Sequence, residues 1–357
     1  MEDILRKLVA FPSVTGDHQA GHELIEYVAD YVRNRGMHIE RYIANGYESL
    51  VATSQAQDKK PRVMFAVHGD VVAANPEQFE LQLRDGRYYG RGVLDMKGSL
   101  ASFLQVIDDI HPNMHEYSLG LVITLDEETG GKDSMPQLIA EGYRPKVVIL
   151  PDGGDNWHIQ TASKGLWIFN IIATGKSCHG SRHWEGENAI YKLLPIISEL
   201  RALFPDQGPD TNTMSLNIFK AGRSMTQVPD KASFSLEVRT LTAAEHTRLG
   251  DAIKALCTQY GLEYRIDTDA LPTSFSLEDP LIKPYADIMS EVIGRQVEGI
   301  RTFATNDIRY WAPAGASCIS FYPEGNGHHS PSEWIDQKAL EQMHSINARY
   351  VELMAHL

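Results

Sequence analysis

The stretch GLVITLDEETGG, residues 120–131, sets an apolar run directly against Asp126, Glu127 and Glu128, and two glycines close it. A short, nearly continuous apolar run reads as a strand covered on both faces, and such strands belong to parallel or mixed sheets packed between helices. Two other runs share this form: Val63 to Val67 leads into His68-Gly69-Asp70, and Val147 to Leu150 leads into Pro151-Asp152-Gly153-Gly154. In open α/β sheets ligands bind beyond the carboxyl ends of the strands, so the three polar clusters are expected to meet there.

Around these runs, residues 18–36 and 97–111 carry apolar side chains at three- and four-residue spacing, the pattern of amphipathic helices. From residue 164 the rhythm changes. A strand-like 166–175, a helix-like 187–204, strand-like 215–222 and 232–241, a helical 242–261 and a strand-like 262–269 give the order βαββαβ, the ferredoxin-like arrangement. The expected fold is therefore α/β: a first domain of residues 1–163 and 276–357, its mixed or parallel sheet sandwiched by helices, interrupted by a second domain at 164–275.

The 357-residue length agrees with two domains, and 43% apolar with 22% charged residues is the composition of a soluble globular protein. MEDILRKLVAFPSV lacks the apolar core of a signal peptide, and no run nears the roughly 18 apolar residues of a membrane span. Cys178, Cys257 and Cys318 are odd in number and scattered, which points to a reducing cytoplasm rather than a disulfide framework. A formal charge of -14 repels phosphate backbones and argues against a nucleic-acid partner. It would also repel an anionic substrate unless local positive charge is built into the site.

Two more pieces bear ligand-type residues. GRGVLDMKG (90–98) sets Asp95 among glycines before a helix, and NGHHSPSEW (326–334) carries His328 and His329. Histidines with several carboxylates make a nitrogen and oxygen donor set suited to zinc, and also to cobalt or manganese. So many close carboxylates repel one another unless cations lie between them. Two divalent ions would set four positive charges against the three carboxylates of Asp95, Glu128 and Asp152, leaving room for a bridging hydroxide. Metals about 3.5 to 4 Å apart ionise water and polarise a carbonyl if one carboxylate spans them. Adjacent residues on an extended segment point opposite ways, so one of Glu127 and Glu128 is expected to coordinate and the other to act as base.

In this order, from H-x-D through GRG-x-x-DMKG, DEE-x-G and the inserted domain to a terminal H-x-x-x-E, the motifs resemble a known family. It is the two-metal, dizinc, aminoacylase, carboxypeptidase and succinyl-diaminopimelate desuccinylase type of metallopeptidase. The resemblance covers nearly the whole chain. It implies that His68 and Asp152 bind one metal, Glu128 and His329 the other, and that Asp95 bridges them. It further implies that Glu127 is the general base, that Asp70 holds the ring of His68, and that the Asp95-Met96 peptide is cis. The inserted domain becomes a lid and dimerisation domain, whose His179, in CHGSRHWEGENA (178–189), reaches a partner subunit's site and donates to the oxyanion. Arg239 in SLEVR, or Arg309 in TNDIRYW, would bind a substrate carboxylate. The chain departs from the family pattern at Thr226, Ser332 and Gly69, and it has Asp152 where desuccinylases have Glu. That last difference leans toward the aminopeptidase and dipeptidase branch.

Taken singly, each motif has a plainer explanation: H-G-D, DEETGG and PDGG as turns, Asp95 as a helix cap, Arg239 as half of a surface ion pair. Their ordered recurrence at strand ends favours the metal site. No G-x-S-x-G elbow and no H-E-x-x-H occurs, and Cys178 beside His179 is poorly placed as a nucleophile. The expectation is a homodimeric two-metal hydrolase of small peptides, with N-acyl amino acids as the alternative substrate class. A catalytically silent metal- or ligand-binding protein on the same scaffold is the alternative of another class, and the presence of Glu127 speaks against it.

Overall fold

The three apolar runs become neighbours in a six-stranded mixed sheet in the computed structural model, which describes residues 1–356. Across the sheet the strands are His38–Ala44, Tyr47–Thr53, Leu119–Thr124, Val63–His68, Val147–Ile149 and Ser317–Ile319. The first two junctions are antiparallel and the remaining three parallel. Side chains alternate between faces with a period of two, and both faces are covered, which is why the runs are apolar throughout. Val63, Phe65 and Val67 pack with Leu24, Phe103 and Tyr350, whereas Met64 and Ala66 pack with Leu138 and Trp311.

Register then positions the polar ends. His68 pairs with Thr124 and Phe65 with Ile149, so Asp152, three residues past Ile149, ends level with His68. The acidic turn leaves the sheet directly after Thr124, beside His68.

Helices His18–Arg33, Lys97–Ile110 and Gln337–Ala355 cover one face. Asp17 caps the first by accepting from the Ala20 N–H, and Asp336 caps the last by accepting from Ala339. The first ends at Arg33 rather than at residue 36, where Gly36 takes φ +86° and turns the chain.

A small second sheet has the strand order Gly325–Asn326, Trp334–Asp336, Arg87–Tyr89, Gln82–Arg84. Trp334 pairs with Tyr89. The loop holding His329 is thereby set beside the loop that runs from Gly90 to Asp95.

These elements belong to one compact unit made of Met1–Thr161, Phe275–Arg301 and the chain from Asn306 onward; the other unit comprises Ala162–Ser274 and Thr302–Thr305. Thr302–Thr305, assigned from sequence to the first domain, lies with the second. In the second unit Gly165–Thr174, Ala189–Ala202, Thr213–Ala221, Lys231–Thr240, Ala243–Gln259 and Glu263–Ala270 realise the βαββαβ order. The spatial order of the strands is Thr213–Ala221, Lys231–Thr240, Gly165–Thr174, Glu263–Ala270, all antiparallel, which is ferredoxin-like. Its core gathers Phe169, Ile171, Phe234, Leu236, Leu193 and Ile253. Among the described residues no helix is long and apolar enough to cross a membrane.

Candidate metal centre

Each acid of the DEE run has its own task. Asp126 is fully buried, and its Oδ2 accepts the N–H groups of Asp133 (3.0 Å) and Ser134 (3.1 Å), which ties down the loop that follows. Glu127–Thr129 form a single 3₁₀ turn rather than an extended segment. The premise that Glu127 and Glu128 diverge because they lie on an extended segment is thus corrected, although the turn also sends them to different neighbours. Gly130 and Gly131, at φ +104° and +56°, close the turn in a region that suits glycine. A Cβ at residue 131 would also come within 2.4 Å of Asp307 Oδ1.

Two groups of ligand-type side chains result: His68, Glu127 and Asp152, and Asp95, Glu128 and His329, with the donor atoms inside each group within 4.8 Å of one another. Asp95 joins the groups. Its Oδ1 lies 3.0 Å from His68 Nε2 and its Oδ2 3.1 Å from His329 Nε2. His329 Nε2 also lies 3.1 Å from Glu128 Oε2. His329 takes φ +61°, a left-handed backbone uncommon for a residue with a Cβ and frequent at functional sites. The Asp95-Met96 peptide is cis.

Asp70 meets the His68 ring chiefly through its main chain. His68 Nδ1 is 2.9 Å from the main-chain carbonyl of Asp70 and 3.6 Å from its Oδ1. Donation of Nδ1–H to that carbonyl leaves Nε2 to face Asp95, the tautomer a metal ligand needs. The Asp70 carboxylate is occupied elsewhere: it accepts Thr15 Oγ1 at 2.8 Å and the N–H groups of Glu127 and Glu128, each at 3.3 Å. Asp70 therefore holds the acidic turn as well as the histidine.

Glu333 supports the second loop, and this role was not read from the sequence beyond its place in H-S-P-S-E. Buried to 1% exposure, it accepts Arg91 Nη1 (2.7 Å) and Gly92 N–H (2.9 Å) on Oε2, and Leu94 (3.0 Å) and Asp95 (3.2 Å) N–H on Oε1. Asp152 is set in a comparable cradle. Tyr322 Oη donates to its Oδ1 at 2.6 Å, and Asn306 Nδ2 donates to its main-chain carbonyl. A side chain at Gly153 would collide with Gln160, Asn306 and Ser320, the first at 2.4 Å, so glycine is required there. Arg309, expected from sequence as a candidate for a substrate carboxylate, donates to the Gly130 carbonyl of the acidic turn.

The electrostatics show why cations fit. Burial pushes the Glu127 carboxyl well above the usual range, and the charge of Asp152 adds to the shift. Burial lifts Asp152 to about 8, with Asp95 contributing, and raises Glu128 as well. Burial opposes a charged His68, yet Asp70 and Asp95 outweigh it and raise its pKa. Burial would also raise Asp95, but bonds to His329 and His68 lower it. Concentrated, poorly solvated negative charge beside imidazole nitrogens is the environment that divalent cations relieve, and the donors suit zinc, cobalt or manganese. Behind Glu127 a cavity of about 10 Å³ is lined by His68, Asp152, Asp307 and Trp311, and Asp307 is buried to 4% exposure.

His179 and Arg239 belong to the second unit. His179 is exposed, with its Nδ1 accepting the Ser181 N–H at 3.2 Å. Arg239 pairs with Glu237 at 2.7 Å and donates to the Phe303 carbonyl at 3.2 Å.

Comparison with known proteins places the chain in a family. The chain is 28% identical over 371 residues to a succinyl-diaminopimelate desuccinylase of Bordetella petrii, covering 98% of this chain and 96% of that one. A namesake from Stenotrophomonas maltophilia is 27% identical over 372 residues and 98% of both chains. Among solved structures, an M20 family metallo-carboxypeptidase from Sulfolobus solfataricus superposes with TM-score 0.80 at 18% identity, over 99% of this chain and 98% of that one. A tripeptidase from Staphylococcus aureus superposes with TM-score 0.79 at 18% identity, over 100% and 98%. The profile of peptidase family M20/M25/M40 matches residues 64–353, a span that takes in every ligand-type side chain of the centre, and with it the chain stands as a hydrolytic enzyme of that family.

Proposed function

We propose that the enzyme hydrolyses the amide bond of small peptides with two divalent cations, most simply zinc. The observation that carries the proposal is Asp95, whose two carboxylate oxygens reach the two ligand groups separately. In this reading His68 and Asp152 hold one ion, Glu128 and His329 the other, and Asp95 both. The ions, when bound, supply Lewis acidity and ionise water near neutral pH. Glu127 takes the proton of the attacking water and passes it to the leaving nitrogen. His179, contributed by a second subunit, donates to the oxygen on which charge develops, and Arg239 receives the substrate carboxylate. Arg309, which donates to the Gly130 carbonyl, is the alternative for that carboxylate.

Dimerisation through the inserted domain is part of the proposal. Thr213–Ala221 is an edge strand, and it exposes Ile218 (51%) and Phe219 (46%), a surface that isolated domains seldom leave open. Light scattering is expected to give a dimer mass that Phe219→Asp converts to a monomer mass; a monomeric wild type sinks the dimer. The proposal also sets the enzyme in the cytoplasm, where Cys178, Cys257 and Cys318 would remain thiols; fractionation of the source cells checks this.

N-acyl amino acids form the second substrate reading. The curated relatives carry a desuccinylase name at higher identity than the structural neighbours named as peptidases, whereas Asp152 in place of Glu favours peptides. Steady-state hydrolysis of dipeptide and tripeptide panels is to be set against N-acetyl and N-succinyl amino acids, on protein loaded with zinc, cobalt or manganese. Turnover of peptides is expected to exceed that of the acyl compounds by at least about tenfold in kcat/KM, roughly 1.4 kcal/mol of discrimination. Cleavage of the acyl compounds alone defeats the peptide assignment.

A further inference from the structure

Tyr322 has no part in the ligand set or in the proton transfer, yet its hydroxyl donates directly to the Asp152 carboxylate. Its hydroxyl lies 2.6 Å from Asp152 Oδ1. The residue is fixed from both sides. Its main-chain carbonyl accepts the Trp157 N–H at 2.8 Å, and its ring stacks on His328 with centroids 5.7 Å apart and planes 17° from parallel. The His328 ring in turn meets that of His329 edge-on at 5.8 Å. One short segment thus contacts a carboxylate of the first ligand group and continues to the histidine of the second.

A carboxylate buried beside other carboxylates can rotate, and either of its oxygens can be offered to a cation. A fixed hydroxyl that donates to one oxygen removes that freedom. We propose that Tyr322 is a positioning residue that reserves Asp152 Oδ1 for its own hydroxyl, so that Asp152 presents a single oxygen, Oδ2, to the cation shared with His68. The inference rests on the two-metal reading above. Its consequence is selective: the His68–Asp152 site depends on the tyrosine hydroxyl, and the Glu128–His329 site does not.

The test is titration of the full-length protein with Zn²⁺ in competition with a chromophoric chelator, which resolves two binding steps, and Asp152→Asn identifies which step belongs to Asp152. Tyr322→Phe retains the ring on His328 and removes only the donor. It is expected to weaken the Asp152 step by about 10- to 100-fold, the usual effect of removing a group that orients a ligand, and to leave the other step within about twofold. Unfolding midpoints of the metal-free proteins establish that the variant is folded. Two unchanged steps, an equal fall in both, or a fall in the step that Asp152→Asn spares would overturn the proposal alone. A wild type that binds fewer than two equivalents overturns the two-metal reading first and this inference with it.

Discussion

Glu127→Ala is expected to lower kcat by a factor of about 10² to 10⁴, the range for removal of a general base, while two equivalents of metal stay bound. The geometry makes this a demanding prediction, because Glu127 shares its 4.8 Å group with His68 and Asp152 and is chemically able to be a ligand itself. What separates the roles is the surrounding structure. Asp152 is held by Tyr322 at its side chain and by Asn306 at its main chain, as a ligand should be. Glu127 is fixed through its main-chain N–H on Asp70, a bond that does not engage its carboxyl. Burial and the charge of Asp152 raise its affinity for a proton, which suits a group that must accept one and release it again. Metal content by elemental analysis and kcat on the best peptide substrate decide the matter. Loss of one metal equivalent would make Glu127 a ligand, and near-normal turnover would leave the base unassigned.

Much of this arrangement was legible in the chain. The strands Val63–His68, Leu119–Thr124 and Val147–Ile149 announce themselves because a sheet covered on both faces demands uninterrupted apolar residues. Their shared direction then carries His68, the acidic turn and Asp152 to one edge. The inserted unit was equally readable, since its six elements each hold a full-length pattern.

Other features left no such trace. The meeting of His329 with Asp95 depends on Gly325–Asn326 and Trp334–Asp336, strands of two and three residues that are too short to show a period. Only the family resemblance joined them. The support given by Asp70 to Glu127 and Glu128, and by Glu333 to Gly92, Leu94 and Asp95, ends on main-chain N–H groups. Any residue carries such a group, so the sequence holds no sign of the partner. Arg309 is a related case. Its guanidinium donates to the main-chain carbonyl of Gly130, and no side chain in the sequence marks that partner.

The second large effect follows from Glu333. Replacing it with alanine leaves Arg91 buried at 3% exposure without its counter-charge and removes the acceptor from three main-chain N–H groups. Loss of one partner of a buried ion pair costs about 3 to 5 kcal/mol. Each buried N–H left unpaired adds about 1 to 3 kcal/mol before relaxation, and the contributions overlap because one carboxylate serves them all. A destabilisation of at least about 3 kcal/mol is expected by chemical denaturation, against a change within about 0.5 kcal/mol for Glu324→Ala, an exposed carboxylate nearby in the sequence. Glu333→Gln is the sharper comparison. It keeps an acceptor for Leu94 and Asp95 but turns an amide donor toward Arg91 and Gly92, so stability should fall less than for alanine while Asp95 stays anchored. Metal affinity should follow the same order, with alanine weakest, because Asp95 leaves the loop that Glu333 organises. Were Glu333→Ala as stable as Glu324→Ala, the buried carboxylate would not be what holds Asp95 between the two histidines.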